Sequence, residues 1–376
     1  MYITRLLEEP ILKRLNKGKI IIIYGARQVG KTTLVKSIAD KSGIPFSYIN
    51  CDEGSVQGKL MTADTSLALK ALTGSPKLVI LDEAQRIRDI GIKLKLLVDT
   101  YPEQQIIATG SSAFELSNEI NEPLTGRVFE FWLFPFSAPE ILKDRNLFEK
   151  ERLLENLLVY GSYPEVYQME SNEEKAEKVR YIASNYLYKD ILKFNNLKNS
   201  DIVIKLLRAL AFQIGNEVSY NELANLVEVS KQTISDYIRL LEKAYIIFRL
   251  NPFSRNLRKE LGKLRKIYFF DLGIRNALIN NLNGLNLRDD IGKLWENFVV
   301  SEKYKSQLGP GFKTNYYFWR TYDGAEIDLV EDINGQLYGW EMKWSGKAKK
   351  APKAWRDTYP KATWEIISPD SYLRSL

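Results

Sequence analysis

The stretch KIIIIYGARQVGKTT, from Lys19 to Thr33, decides the fold of this chain. Its four consecutive isoleucines are typical of a central parallel strand that is buried on both faces. A loop bounded by Gly25 and Gly30 follows, and a helical run begins at Thr33. Strand, glycine-bounded loop and helix, with the spacing G-x-x-x-x-G-K-[ST], predict a phosphate-binding P-loop. The alternative is a chance glycine-rich turn between a strand and a helix.

The parts of this loop suit the binding of a nucleoside triphosphate. Glycines allow positive φ and a close approach of backbone N–H groups to phosphate oxygens, and the helix N-terminus adds a partial positive charge. Lys31 is expected to reach the β- and γ-phosphates, and the Thr32 hydroxyl to ligate Mg²⁺. The predicted ATP-binding residues of this stretch are Gly25, Ala26, Arg27, Gln28, Val29, Gly30, Lys31, Thr32 and Thr33.

A second buried strand ends in two carboxylates. The residues KLVILDE, beginning at Lys77, form an apolar run followed by Asp82 and Glu83. Open α/β sheets bind ligands at the carboxyl ends of their strands, where a nucleotide-bound Mg²⁺ requires an acid. We expect Asp82 to hold the metal, directly or through water, and Glu83 to orient and deprotonate the attacking water. The alternative is a strand that simply exits into solvated acids.

Two further positions near predicted strands are candidates for contact with the γ-phosphate. The strand QIIATGSS ends in small hydroxyl residues, of which Thr109 or Ser111 could sense the phosphate; a strand capped by turn residues is the alternative. Arg127 precedes a strand that begins at Val128, and it could stabilise the transferring phosphate in cis or from a neighbouring subunit. A surface ion pair is the alternative for this arginine.

Composition excludes several classes of chemistry. The absence of histidine from the 376 residues excludes Ser-His and Cys-His catalysis, and the single cysteine, Cys51, excludes an internal disulfide. Any metal must be held by oxygen atoms, which favours Mg²⁺ or Mn²⁺. The net charge of +7 permits nucleic-acid binding without requiring it. Because no signal pattern and no apolar run of about 20 residues is visible, we expect a cytoplasmic protein without a membrane segment.

Residues 136–200 have a helical pattern, which predicts a helical lid. Between two apolar stripes lies the element Gly161-Ser-Tyr-Pro164. It resembles the G-x-P element of some signalling and replication-initiation ATPases, in which the proline lies against the adenine. The resemblance makes Pro164 a candidate adenine contact, although a helix-ending turn explains the element as well.

Residues 201–255 predict a winged helix-turn-helix. Ser219 and Glu222 form a capping box, Ser230 caps a second helix, and Ile246 begins a strand. The residues that could meet DNA are Lys231, Gln232, Thr233 and Arg239, followed by a basic run with Arg255, Arg258, Lys259, Lys263, Arg265 and Lys266. Such a run binds phosphates independently of sequence. The alternative is a winged helix that serves as a spacer or protein-contact module.

The last part of the chain carries a second candidate site. Alternation along three predicted strands places Asp328, Glu341 and Lys343 on one face. The opposite face of the last strand is predicted to be filled by Tyr338, Trp340, Met342 and Trp344, so that the acidic face borders a groove or solvent. Carboxylates can bind Mg²⁺ or Mn²⁺, and a lysine beside them can polarise a water. A sheet with one solvated face is the alternative.

The order D…E-x-K, with Glu296 on a preceding helix, resembles the signature of PD-(D/E)xK nucleases. The resemblance implies that Glu296, Asp328 and Glu341 hold a metal ion. It also implies that Asp328, Glu341 and Lys343 take part in cutting phosphodiester bonds. Domains of this class often lose activity, so an active and an inert domain both stay open.

Nearly the whole chain resembles bacterial and archaeal ATPases built from an AAA-type domain, a winged helix and a C-terminal domain of the PD-(D/E)xK class. The stretches that carry the resemblance are GARQVGKTT, VILDEA, ATGSSAFEL, LTGRVFEF, GSYPEV, NPFSRNLRKE, IYFFDLGIRNAL, WENFV, WRTYDGAEIDLV and WEMKWS. The resemblance implies an α/β multidomain fold. Its parts would be a P-loop ATPase domain with a parallel sheet over 1–135, a helical lid over 136–200, a winged helix-turn-helix over 201–255 and a nuclease-like domain over 256–376.

The predicted function is Mg²⁺-dependent binding and hydrolysis of ATP, coupled to DNA binding and, in one interpretation, to metal-dependent DNA cleavage. The alternative is a signalling or regulatory ATPase whose winged helix and inert nuclease-like domain contact other proteins. A homo-oligomer is required if Arg127 acts in trans.

Overall fold

The computed structural model of the protein describes residues 2–111, 123–193, 200–253, 265–307, 314–345 and 350–376, with the backbone alone for 185–193 and 200. The chain forms two compact units. The main segments of the first are Met1–Phe136 and Lys243–Tyr245, and those of the second are Ser137–Glu242, Ile246–Gln307 and Lys313–Leu376.

The first unit is built on a five-stranded parallel sheet. Its strands are β1 (Ile20–Tyr24), β2 (Phe46–Asn50), β3 (Leu78–Asp82), β4 (Gln105–Gly110) and β5 (Val128–Trp132). Its helices in the described residues are α1 (Glu8–Leu12), α2 (Lys31–Ser42), α3 (Gly54–Thr62), α4 (Ser66–Thr73) and α5 (Ile90–Thr100). The strand order β2-β3-β4-β1-β5, with every pair parallel, confirms the predicted α/β fold with a parallel sheet.

The sheet brings three strand ends to one edge. Every residue of β1, β3 and β4 is buried, as expected for central strands. Strand β4 pairs with both β1 and β3. Because the strands are parallel, the loop after β1, the acids after β3 and the hydroxyl residues of β4 meet at the same edge.

Backbone geometry restricts the residues of the P-loop. Gln28 and Gly30 have φ of +63° and +94°, the left-handed region. A Cβ atom at Gly25 would lie 2.2 Å from the carbonyl oxygen of Leu133, so only glycine fits where the loop leaves β1. Arg5 supports the loop by donating to the carbonyl oxygen of Val29 at 2.8 Å.

The second unit combines helices with a seven-stranded sheet. Its helices in the described residues are α6 (Ala138–Leu142), α7 (Leu147–Tyr160), α8 (Pro164–Tyr167), α9 (Asn172–Lys193), α10 (Ser200–Phe212), α11 (Tyr220–Val227), α12 (Lys231–Lys243), α13 (Leu272–Leu278), α14 (Ile291–Lys305), α15 (Lys353–Thr358) and α16 (Pro369–Ser375). Its strands are β6 (Glu217–Val218), β7 (Ile247–Pro252), β8 (Arg265–Phe269), β9 (Thr314–Arg320), β10 (Glu326–Ile333), β11 (Gln336–Met342) and β12 (Thr363–Ile367). No helix of the described residues has both the length and the apolar character needed to cross a membrane.

One sheet connects the central and C-terminal parts of this unit. Its strand order is β12-β11-β10-β9-β7-β8-β6. Strand β7 pairs in parallel with β9, so the strand that follows α11 and α12 belongs to the same sheet as the C-terminal strands. The sheet therefore runs across the boundary predicted at residue 255.

Two capped helices precede β7. The Ser219 hydroxyl accepts from the N–H of Glu222 at 3.3 Å and begins α11, and the Ser230 hydroxyl accepts from the N–H of Thr233 at 3.0 Å and begins α12. Between the helices, Glu228 has φ of +58° and ends α11. Helix, turn, helix and strand thus follow in the predicted order, and the winged-helix class itself stays a prediction.

Candidate functional site

Lys31 lies at the start of α2, with its ammonium group turned toward the loop. Its Nζ donates to the carbonyl oxygens of Gly25 and Ala26, both at 3.0 Å, and lies 3.6 Å from Oε1 of Glu83. The side chain is only 4% exposed. A phosphate bound by the N–H groups at this helix N-terminus would meet the ammonium group at close range.

Three hydroxyl groups hold the buried carboxylate of Asp82. Thr32 Oγ1 and the Tyr48 hydroxyl each donate to Oδ2 at 2.6 Å. Thr109 Oγ1 donates to Oδ1. These bonds compensate the carboxylate for the water that it loses on burial. The structure thus brings together Thr32 and Asp82, the two residues predicted to hold magnesium.

Sequence reasoning missed Tyr48. It lies on β2, which pairs with β3 so that Asn50 is opposite Asp82. Burial, and then the hydrogen bond to Asp82, raise the pKa of Tyr48 above its usual value, so the hydroxyl remains a donor at neutral pH. The sequence shows a tyrosine near the end of a predicted strand, but its contact with Asp82 can be inferred only when β2 and β3 are known to be neighbours.

Glu83 is held in an uncommon backbone conformation beside Asp82. Its φ is +56°, and its N–H donates to Oγ1 of Thr109 at 3.0 Å. Gln85 Nε2 donates to Oε2 of Glu83 at 2.6 Å and to Oγ of Ser111 at 2.9 Å. Thr109 and Ser111 therefore contact the acid pair and its partner, and a direct contact of either residue with phosphate stays a prediction.

Arg127 lies at the edge of the sheet opposite the P-loop. Its carbonyl oxygen accepts from the N–H of Ile20, at the start of β1, whereas the P-loop follows the end of that strand. The five residues of β1 span about 16 Å. Arg127 Nε instead donates to Asp99 Oδ1 at 2.7 Å. The predicted role in cis is wrong because this arginine precedes its strand, and the role in trans stays a prediction.

The element GSYP packs around a buried carboxylate in the second unit. The N–H of Ser162 donates to Asp271 Oδ2 at 2.7 Å, and the N–H of Ile274 donates to Oδ1 at 3.0 Å. Gly161 has φ of +78°, and a Cβ atom there would lie 2.2 Å from Oδ1 of Asp271. Pro164 is the first residue of α8. These contacts give the element a structural role, and its contact with adenine stays a prediction.

A carboxylate cluster surrounds Lys266 in the second unit. The Nζ of this lysine lies 3.0 Å from Oε1 of Glu296, 2.5 Å from Oε1 of Glu326 and 4.0 Å from Oδ1 of Asp328. The Tyr268 hydroxyl donates to the same oxygen of Glu296 at 2.7 Å. The lysine side chain is 2% exposed and paired with acids, so its assignment to the phosphate-binding basic run was wrong. Sequence reasoning had not connected it with the acids.

The other residues predicted for the second site adjoin this cluster at the end of β11. Lys343 Nζ lies 2.6 Å from Oε1 of Glu341, and the N–H of Met342 donates to Oδ2 of Asp328 at 2.8 Å. The predicted Glu296, Asp328, Glu341 and Lys343 are thus neighbours. In the part of the chain that the structure describes, however, no three acidic or cysteine side chains converge as ligands of one metal ion. As the cluster stands, its geometry does not fit a metal centre.

Burial and charge act in opposite directions within the cluster. Burial, followed by the charge of Glu296, raises the pKa of Asp328, while Lys266 opposes this rise. Burial would lower the pKa of Lys266, but the charges of Glu296, Asp328 and Glu326 outweigh it and raise that pKa above its usual value. The ammonium group therefore keeps its proton, and Asp328 is held near the point of protonation.

The cluster borders a cleft of about 870 Å³ in the second unit. Six acidic and four basic side chains of the described residues line this cleft. It is therefore acidic at neutral pH, although the chain as a whole carries +7. A nucleic-acid backbone would be repelled from this wall unless cations accompanied it.

The prediction of one filled and one open face for β11 was wrong because both faces are packed. Leu337, on the acidic face, belongs to a buried cluster with Trp355 of α15. On the other face Trp340 is half-buried and donates through Nε1 to Glu331 at 2.8 Å. Lys343 borders the cleft because it follows the end of the strand, beyond the packed region.

Polar side chains predicted to meet DNA are present on the surface of α12. Among them Lys231, Gln232 and Arg239 are exposed and Thr233 is half-buried. The predicted basic residues between 255 and 263 lie outside the residues that the structure describes. Arg265 lies over the ring of Tyr220, with its guanidinium carbon 5.5 Å from the ring centroid.

Three stretches of the chain match known protein families. Residues 17–142 match a family described as AAA domain. Residues 151–285 and 291–366 match two families described as domains of unknown function, DUF8612 and DUF4143. The first match spans the P-loop and the acids of β3, and together with their geometry it supports ATP binding and hydrolysis by this part of the chain.

Similar proteins occur in bacteria and archaea. An uncharacterized protein of Mycobacterium tuberculosis is 29% identical over 335 residues, which cover 88% of this chain and 71% of that protein. An uncharacterized protein of Methanocaldococcus jannaschii is 28% identical over 318 residues, covering 80% and 69%. Among solved structures, a Walker-type ATPase of Pyrococcus abyssi aligns with 74% of this chain and 96% of its own, at 18% identity and a TM-score of 0.48.

Proposed function

We propose that this chain binds ATP with Mg²⁺ at the P-loop and hydrolyses its terminal phosphate bond. The observation that supports this best is the contact between the P-loop helix and the acids of β3. Thr32 Oγ1 reaches Asp82 at 2.6 Å, and Lys31 Nζ lies 3.6 Å from Glu83. The residues proposed as magnesium ligands, as phosphate-binding lysine and as general base are therefore neighbours.

The donors at this position fit a magnesium ion. Hydroxyl and carboxylate oxygens are the ligands that Mg²⁺ prefers, and Thr32 and Asp82 offer one of each. Bound magnesium would offset charge on the β- and γ-phosphates. Tyr48 and Thr109 keep the carboxylate of Asp82 oriented by donating to its two oxygens.

The remaining residues have separate roles in the proposed reaction. The N–H groups of residues 25–33 bind the phosphates, and Lys31 exchanges the loop carbonyls for phosphate oxygens. Glu83 accepts a proton from the attacking water, which Gln85 helps to orient by holding the Glu83 carboxylate. Ser111 contributes through its bond to Gln85.

Two substitutions test this proposal. Lys31→Ala should abolish binding of a fluorescent ATP analogue, because it removes the positively charged side chain at the first position of α2, which is proposed to bind the phosphates. Glu83→Gln should keep binding and lower turnover at least about 100-fold, because the amide cannot accept the proton. Glu9→Gln, at an exposed acid of α1, is the matched control and should behave like wild type. Unchanged turnover in Glu83→Gln would remove that residue from the base role.

We further propose that ATP hydrolysis is coupled to DNA binding through α12 and the basic residues that follow β7. Support comes from the exposed Lys231, Gln232 and Arg239 on one capped helix, the usual position of a DNA-reading helix in this class. The competing function is a regulatory ATPase that uses the same surface to contact protein. The exposed cations alone do not separate the two.

A salt titration separates them. Fluorescence anisotropy of a labelled duplex should show affinity falling steeply between 50 and about 200 mM salt, because several phosphate contacts release counterions. The double variant Lys231→Ala/Arg239→Ala should make the salt dependence weaker, reducing the magnitude of the negative slope of log K against log salt by about 2. Absence of binding to any nucleic acid at low salt would favour the protein-contact function.

Metal-dependent DNA cleavage is the second candidate activity. One observation favours it: the predicted Glu296, Asp328 and Lys343 line one cleft, and Glu341 forms an ion pair with Lys343. The test incubates wild type and Asp328→Ala with plasmid DNA, Mg²⁺ or Mn²⁺, with and without ATP. Cleavage by wild type alone supports the activity. Equal cleavage by both proteins indicates a contaminant, and cleavage by neither leaves an inert domain.

The proposed trans role of Arg127 requires an oligomer. Arg127 is partly exposed and paired with Asp99, an ion pair that a partner's nucleotide would have to displace. Size measurement by light scattering with and without ATP tests this. A strictly monomeric protein in both conditions would exclude the role.

A further inference from the structure

The position of Lys266 carries an inference beyond ATP hydrolysis and DNA binding. Its ammonium group contacts carboxylates from two elements, Glu296 of α14 and Glu326 of β10, and lies 4.0 Å from Asp328. An ammonium group has three donors, and here three carboxylates surround it. The group thus occupies the space between these carboxylates.

Neighbouring contacts keep the ammonium group in this position. Lys266 and Tyr268 lie on the same face of β8 because they are two residues apart, and both reach the same oxygen of Glu296. The other oxygen of Glu296 lies against Gly215, where a Cβ atom would be only 2.8 Å away. Glu296 therefore has little freedom to turn toward another cation.

A divalent ion shared by Glu296 and Asp328 would have to lie between their carboxylates. Mg²⁺ requires oxygen ligands at about 2.1 Å in octahedral geometry, with room for its waters. The Lys266 ammonium group lies between these carboxylates now, and two cations in contact repel strongly in a buried site. Lysine and metal ion are therefore alternative occupants of one position.

We propose that Lys266 is the resident cation of this cluster, which assembles and neutralises the carboxylates without metal and excludes a divalent ion. The inference stands against the metal-dependent DNA cleavage considered above, since it leaves the divalent ion no position between Glu296 and Asp328. Removal of the ammonium group should create a metal site from the acids that remain.

Manganese binding tests the inference independently of any activity. Electron paramagnetic resonance measures the concentration of free Mn²⁺ in solutions of the full chain without nucleotide, and hence the amount bound. Wild type is compared with Lys266→Met, which keeps an unbranched side chain and loses the charge. Lys266→Met should bind one additional Mn²⁺ per chain, at least about tenfold more tightly than wild type does. Adding Asp328→Asn should abolish that gain.

The matched control removes a different cation from the same cleft. Lys293 donates to Asn216 and to the carbonyl oxygen of Gly215, so Lys293→Met should leave Mn²⁺ binding as in wild type. Lys266→Met leaves the carboxylates of Glu296 and Glu326 without their cation, which lowers stability. The double variant Lys266→Met/Glu326→Gln removes one acid together with the lysine and serves as the second variant.

Wild type supplies the decisive comparison even if both variants fail to fold. Weak or absent Mn²⁺ binding that does not change in Asp328→Asn supports a resident lysine. Tight Mn²⁺ binding by wild type that Asp328→Asn abolishes would overturn the inference. Folded Lys266→Met with unchanged affinity would overturn it too, and none of these results bears on ATP hydrolysis.

Discussion

Replacement of Thr109 by valine should separate ATP binding from ATP turnover. The Thr109 hydroxyl is fully buried, donates to Asp82 and accepts from the N–H of Glu83 at 3.0 Å. Valine has nearly the same shape and lacks the hydroxyl. The substitution therefore leaves Asp82 with two hydroxyl donors and leaves the N–H of Glu83 without its acceptor.

The size of the effect follows from these two bonds. Leaving a buried donor without a partner costs about 1–3 kcal/mol, and a hydrogen bond to a charged group contributes about 1.5–3 kcal/mol. Glu83 has φ of +56°, a conformation that non-glycine residues adopt only when neighbours hold it. If about 2 kcal/mol of this loss acts on the position of Glu83 in the transition state, kcat falls roughly 30-fold.

Steady-state phosphate release and binding of a fluorescent ATP analogue measure the two consequences. Thr109→Val should lower kcat about 10- to 100-fold and change nucleotide affinity less than about threefold, since the P-loop is untouched. Thr109→Ser keeps the hydroxyl and should retain most of the turnover. A kcat within threefold of wild type in Thr109→Val, or equal losses in the valine and serine variants, would refute the reasoning.

Three further outcomes are expected. Gly25→Ala should abolish ATP-analogue binding, because its Cβ atom would lie 2.2 Å from a backbone oxygen. Gly161→Ala should lower the Tm measured by circular dichroism, because the added Cβ atom would meet Asp271 and the backbone conformation at this position is one that only glycine adopts readily. The control Gly58→Ala adds its Cβ atom in open space and should leave the Tm unchanged. The free energy of unfolding measured with urea should fall as pH rises from about 4 to about 7, because the folded state holds the Asp328 proton more tightly than the unfolded chain does. In Asp328→Asn the free energy of unfolding should not show this decrease.

Most of the residues that meet at the P-loop edge of the sheet could be predicted because their signals are local. The isoleucine strand, the glycine spacing and the acid-ended strand each indicate their own structure, and parallel strands must end at one edge. Tyr48 could not be predicted, since only the order of strands places β2 beside β3. A hydroxyl group from a neighbouring strand is invisible until that order is known.

For Arg127, in contrast, the sequence alone was sufficient to reject the predicted contact in cis. In a parallel sheet, residues that precede a strand and residues that follow one lie at opposite edges. Arg127 precedes β5, and its carbonyl pairs with the start of β1. The direction of the strand alone was sufficient to exclude a contact in cis with the P-loop.

The burial of Lys266 follows from the alternation of side chains along β8, although this lysine belongs to a run of basic residues in the sequence. In the run RKIYF, Arg265 lies at the start of β8 and Lys266 points with Tyr268 to the same face. A lysine that shares a face with a buried tyrosine, in a strand paired on both sides, must find a carboxylate because an unpaired buried charge is too costly. That requirement leads from Lys266 to Glu296, and hence to a cluster that balances its acids with a cation from the chain itself.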